Sequence, residues 1–127
     1  MIGAVLAGGR ARRLGGAPKG LFEIDGVAVA ARLLELLRAE CGDAFVVGDP
    51  SGPYAALGAS VRPDVVPDRG APGGVHAALR HAPPGWVFVA ACDLPQLDAA
   101  SIRALAARRG DQDAVLARVG GRLQPLA

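Results

Sequence analysis

Ile2-Gly3-Ala4-Val5-Leu6-Ala7-Gly8-Gly9-Arg10-Ala11-Arg12-Arg13-Leu14-Gly15-Gly16-Ala17-Pro18-Lys19 runs almost from the start of the chain. Ile2 to Leu6 is apolar throughout, the pattern of a short strand buried on both faces. A glycine-rich loop follows at once. It carries Arg10, Arg12, Arg13 and Lys19, with no carboxylate before Glu23, although the whole chain is only +2. Positive charge gathered in one segment steers an anion to a site. Lys19 is the only lysine among 14 Lys and Arg residues. Its ammonium is a compact point charge on a flexible stem, whereas guanidinium is a wide planar fork. A lysine closing a glycine-rich loop therefore points to a phosphate held at close range. The plainer alternative is a solvated turn in an arginine-rich sequence.

Outward from this stretch, the Phe22–Ile24 segment reads as extended and Asp25-Gly26 as a turn. Val27 to Glu40 reads as a helix with Leu33, Leu34 and Leu37 on one stripe, stopped by Gly42. Ala44 to Val47 is a second buried strand. A short helix near Tyr54–Leu57 and a weak strand around Ser60–Arg62 come next. Pro63 to Gly74 reads as an ordered loop or lid, and Val75 to His81 as a helix broken by Pro83-Pro84-Gly85. Trp86 to Ala91 is the clearest strand, and Cys92-Asp93-Leu94-Pro95 ends it. Asp98 caps a helix from about Ala99 to Arg108, and residues 114–126 read as a hairpin around Gly120-Gly121. Strands alternating with helices imply a parallel α/β sheet with ligands at the carboxyl ends of its strands. The glycine-rich loop and Asp93 both sit at such ends.

A length of 127 residues makes a single domain the expectation. Hydrophobic residues are 51% and charged residues 20%, a globular balance rather than a disordered one. Aromatics are only 4%, which argues against nucleic-acid binding by base stacking. Cys41 and Cys92 lack the spacing of a zinc site or disulfide framework, and a reducing, cytoplasmic setting fits them. No apolar run reaches the ~20 residues of a membrane span. The opening segment is too short, and too quickly followed by arginines, to read as a signal peptide.

Two common phosphate motifs fail. A Walker loop needs Gly before the lysine and Ser or Thr after it, but Pro18 and Gly20 flank Lys19. The dinucleotide fingerprint G-x-G-x-x-G is broken by Gly8-Gly9-Arg10. What remains is a longer loop. Gly8 and Gly9 let the backbone approach a ligand, and Arg13 and Lys19 can neutralise a polyphosphate. Asp93 ends an apolar strand, where a carboxylate is costly unless solvated, paired or metal-bound. Magnesium takes one or two carboxylates plus phosphates and water. Asp93 alone would equally fit a turn cap. His76 and His81 read as helix residues without a chemical role, and Arg108-Arg109 as a solvated helix end.

Taken together, Leu6-Ala7-Gly8-Gly9, Arg13-Leu14-Gly15 and Lys19 resemble the L-A-G-G-x-x-x-R-[ML]-G-x-x-K signature of a nucleotidyltransferase family, closest to the molybdenum cofactor guanylyltransferases. Gly20-Leu21 with Asp25-Gly26, the stretch from Asp68 through Gly70 and Gly74 to Leu79, Cys92-Asp93-Leu94-Pro95 and Gln124-Pro125-Leu126 are similar to later family segments in register. The resemblance implies a three-layer, Rossmann-like, mostly parallel sheet with helices on both faces, of the nucleotide-diphospho-sugar-transferase type. It implies transfer of GMP from GTP to a molybdopterin-type cofactor, with Mg2+ as cofactor and passing contacts with cofactor-maturation proteins. The nucleotide would lie on Leu6, Ala7, Gly8, Gly9, Arg13, Lys19, Asp68 and Asp93, with Arg13, Lys19 and Asp93 catalytic and Asp93 binding the metal.

The chain departs from the family pattern at Ala71-Pro72-Gly73, where Pro-Leu-Ala is usual. Gly48 stands near the position of an Asn that helps read the nucleotide. Family members continue past the position of Ala127, so the resemblance further implies that the C-terminal part of the usual domain, with much of the acceptor site, is missing. A cytidylyltransferase of the same cofactor, a sugar- or alcohol-phosphate nucleotidyltransferase, and a non-catalytic nucleotide-binding module remain the alternatives.

Overall fold

The computed structural model describes residues 1–8 and 18–124. Its centre is a four-stranded parallel sheet. The strands are β1 (Ile2–Leu6), β4 (Ala44–Val47), β5 (Val61–Arg62) and β6 (Val87–Ala91), in the spatial order β5-β4-β1-β6. Both β1 and β4 are buried almost throughout, as their unbroken apolar runs require. Helix α1 (Val29–Cys41) covers one face with Leu33, Leu34 and Leu37, joined by Ile102 of α3 (Ala99–Ala106). Helix α2 (Gly70–His81) covers the other face, placing Ala77 and Ala78 against Ala4, Leu6, Phe45 and Val47. The architecture is therefore the expected three layers.

Small residues set how closely these layers approach. A Cβ on Gly3 would stand 2.6 Å from Leu37 Cβ, so α1 lies on the bare backbone of β1. On the opposite face a Cβ on Gly74 would stand 3.2 Å from Leu6 Cδ1. With few aromatics available, such close seating lets Ala, Val and Leu fill the core. At the rim, Arg103 grips Glu40 through Nε–Oε2 (2.8 Å) and Nη2–Oε1 (3.0 Å), tying α3 to α1. That hydrogen-bonded guanidinium holds the Glu40 carboxyl below its usual range. The expected cap is present, with Asp98 Oδ1 accepting the Ser101 N–H at 2.7 Å.

Two boundaries differ most from expectation. Val27 and Ala28 are not helical. They form β3, paired with β2 (Glu23–Ile24) around Asp25-Gly26. Both turn residues have positive φ (53° and 78°), the geometry of a two-residue hairpin. Helix α2 begins at Gly70 rather than Val75, because Pro72 falls in the first turn, where no intrahelical donor is needed. The closing hairpin is β7 (Ala117–Val119) and β8 (Arg122–Gln124), with positive φ at Gly120 and Gly121.

Tyr54, in a 3-10 turn over Pro53–Leu57, is buried in the α1-side core. Its hydroxyl accepts the Gly20 N–H (3.1 Å) and donates to Cys92 Sγ (3.8 Å). Burial, with the neighbouring Cys92, pushes its ionisation up from 10.0 to about 12, and burial likewise raises the Cys92 thiol.

Gly3→Ala should lower stability by about 1–3 kcal/mol, the usual cost of overpacking a core contact, read as a fall in urea midpoint. A raised pKa favours the fold while the group stays protonated. The Tyr54 contribution is therefore whole below pH 10, where the unfolded tyrosine is still neutral, and is lost as pH climbs towards 12. Urea midpoints taken across that window should decline, and Tyr54→Phe should flatten the decline.

Candidate active site at the carboxyl edge of the sheet

From β1 the chain crosses to β4 and then β5 on one side, and returns through α2 to β6 on the other. The strand order thus reverses at β1, with its two flanking helices on opposite faces. Open parallel sheets bind ligands at such a point, beyond the carboxyl ends of the strands. Ala7 and Gly8 follow β1 there, Gly48 follows β4, Asp64 lies two residues beyond β5, and Cys92-Asp93 follow β6.

Lys19 reaches the same edge from a part of the chain far in sequence from Asp93. It opens a 3-10 turn, Lys19–Leu21, whose Gly20 is buried. A Cβ on Gly20 would stand 2.8 Å from Cys92 Cβ and 2.9 Å from the Tyr54 hydroxyl, so only glycine seats the turn this close. As a result Lys19 Nζ lies 3.9 Å from Asp93 Oδ2, with side chains 66% and 49% exposed. A cation and a carboxylate face each other at the switch point, both open to solvent. The separation is that of a loose ion pair rather than a close hydrogen bond.

The other expected residues divide. Leu6 is buried towards α2, its carbonyl accepts the Cys92 N–H (3.1 Å), and the Ala7 N–H donates to Val47 O (2.9 Å). Those groups serve the sheet, and the exposed backbone of this stretch begins at Gly8. Gly9 and Arg13, with Arg10 and Arg12, lie outside the described residues. Asp68 is exposed in the turn before α2 with φ of 59°.

Sequence reasoning passed over Asp64. Its Oδ2 lies 3.6 Å from where a Cβ on Gly8 would stand. Its Oδ1 is buried without a hydrogen-bond partner among the described residues. An orphaned buried carboxylate oxygen is costly unless something supplies a donor. Beyond Ala7, whose Cβ is 3.5 Å from the Cβ position of Gly48, the edge therefore offers an acceptor on the β5 side and a cation–carboxylate pair on the β6 side. The signal for Asp64 was an acid just past a strand, as at Asp93, but the strand before it has only two residues and showed little pattern.

Among the described residues no group of three His, Cys, Asp or Glu side chains could hold a metal by itself. Asp93 fits a divalent cation that draws its remaining ligands from a polyphosphate and water. Cys41 and Cys92 are free thiols. No described helix is long and apolar enough to cross a membrane.

Comparison with known proteins identifies the family. A molybdenum cofactor guanylyltransferase of Serratia proteamaculans is 34% identical over 98% of this chain and 64% of its own length. Another from Cupriavidus metallidurans is 37% identical over 92% of this chain and 59% of its own. The crystal structure of molybdopterin-guanine dinucleotide biosynthesis protein A from Archaeoglobus fulgidus superposes with a TM-score of 0.76 at 27% identity, covering 99% of this chain and 65% of that one. The chain thus spans about three-fifths of the length of the curated relatives it matches. Residues 3–127 match one family throughout, and the chain belongs to the MobA-like NTP transferase domain family.

Proposed function

We propose that this chain is a single nucleotidyltransferase domain that transfers GMP from GTP to a molybdopterin-type cofactor. The observation that carries the reading is the Lys19–Asp93 pair, 3.9 Å apart at the switch point of the sheet. Relatives named as molybdenum cofactor guanylyltransferases support the choice of GTP and acceptor.

In this reading the nucleoside lies towards Gly8 and the β5 side. Asp64 Oδ1, without a hydrogen-bond partner among the described residues, would accept a hydrogen bond there, and Asp68, in the turn before α2, would help hold the guanosine. The triphosphate lies towards β6, with Gly9 and Arg13 contributing from the loop and Lys19 from its turn. A terminal phosphate oxygen of the acceptor attacks the α-phosphorus. A new P–O bond forms, the bond to the β-phosphate bridging oxygen breaks, and pyrophosphate leaves. Charge develops on that leaving oxygen, and Lys19 would stabilise it. Asp93 would hold Mg2+, which when bound supplies further neutralisation of the phosphates. No protein nucleophile is needed, because positioning and electrostatics carry this chemistry. The free thiols suit a reducing cytoplasm, where cofactor-maturation proteins would be encountered.

Lys19→Ala should weaken GTP binding by roughly 1.5–3 kcal/mol, as for a lost charged hydrogen bond, while leaving the thermal midpoint nearly unchanged. Unchanged GTP affinity by calorimetry would remove the role assigned to Lys19. Asp93→Asn should abolish the Mg2+ dependence of GTP binding. A thermal-shift panel of the four NTPs with Mg2+ should show its largest rise with GTP, and a larger rise with CTP would reassign the nucleotide.

A further inference from the structure

We propose that Tyr54, the only tyrosine in the chain, is a positioning residue: its hydroxyl clasps the Lys19 turn to the strand tip carrying Asp93 and thereby sets the separation of the two charges. The catalytic consequence rests on the proposed nucleotidyl transfer, but the clasp itself does not.

Three observations carry it. The Tyr54 ring is 5% exposed within the α1-side core, so its hydroxyl is aimed by packing rather than by solvent. That hydroxyl bridges two segments remote in sequence, accepting from Gly20, 34 residues away, and donating to Cys92, 38 residues away. The three groups are in full contact, since a Cβ on Gly20 would fall within 3.0 Å of both Tyr54 and Cys92. Gly20 is bonded to Lys19, and Cys92 to Asp93. The two reacting-site side chains are themselves exposed, and an exposed ion pair is too weak to hold its own geometry. Of the other hydrogen bonds around the turn, Leu21 N–H to Pro18 O and Phe22 N–H to Lys19 O are local, and Val29 N–H to Phe22 O reaches helix α1 rather than the sheet. The tyrosine hydroxyl bridges the turn to the sheet edge, beside the direct contact of Gly20 with Cys92. Phenylalanine would keep the ring's packing and remove the hydroxyl that accepts the Gly20 N–H, leaving only the Cys92 thiol beside it.

Because Lys19 is the only lysine, 13Cε-lysine labelling yields a single side-chain resonance. At fixed pH, Asp93→Asn should displace that resonance in the otherwise native chain. In a Tyr54→Phe background the displacement should shrink, because the turn no longer holds the ammonium beside Asp93. Equal displacement in both backgrounds would overturn the proposal. GTP turnover in Tyr54→Phe should fall by about tenfold to a hundredfold, the scale of an ångström-level misplacement. Should Tyr54→Phe not fold, amide exchange in the native chain still decides. The Gly20 N–H should be protected, and free exchange would overturn the clasp. Absence of GTP turnover in the native protein would sink the proposed function while leaving the resonance test of the clasp intact.

Discussion

The reversal of strand order at β1 is the constraint on which the rest of the molecule depends. Helix α1 leaves β1 on one face, and α2 returns to the far side of β1 on the other. The segments leaving β1 and β5 therefore pass to helices on opposite faces, and open parallel sheets bind ligands beyond the carboxyl ends of their strands at such a reversal. Gly3 and Gly74 belong to the same constraint. They let helices lie against the two faces of one central strand closely enough for small side chains to fill the gap. The core is thus made of aliphatic contacts around β1, and the site is what that packing leaves open at one end.

Energetics separate what stabilises this fold from what the site can use. Ala4, Val5, Val46, Val47, Leu34, Leu37 and Ile102 are at most 1% exposed, and each large apolar side chain so buried contributes roughly 1.5–3 kcal/mol. The Lys19–Asp93 pair, half open to water, contributes at most about 1 kcal/mol. Folding gains little from placing those charges together. The Asp64 oxygen, without a partner among the described residues, stands on the unfavourable side of the same balance. Residues that cost stability or add little, gathered at the carboxyl edge of a parallel sheet, are the pattern expected where a ligand completes the interactions.

Much of this was legible in the sequence because buried parallel strands write a simple code. The unbroken apolar runs Ile2–Leu6 and Ala44–Val47 gave strands with the bounds the structure shows. The lone lysine and the acid after the last sheet strand identified two groups that do meet. Local turn chemistry was less legible. Asp25-Gly26 reads as a turn, but Val27 reads with the helix that follows because its strand has only two residues, too few to show alternation. The start of α2 was hidden by Pro72, since proline signals a break everywhere except in a first turn.

By itself the sequence determined the elements, the α/β class and the chemical types present: a cationic glycine-rich loop, and an acid at a strand end. Periodicity and residue chemistry are local properties, so a linear reading can reach them. Only the tertiary structure decided which acid stands beside Gly8, for Asp64 is brought there by the pairing of a two-residue strand with β4. Only the tertiary structure joined Tyr54, Gly20 and Cys92. Those residues come from three separate segments, and their meeting depends on strand order and helix seating, which arise from packing the whole chain around β1.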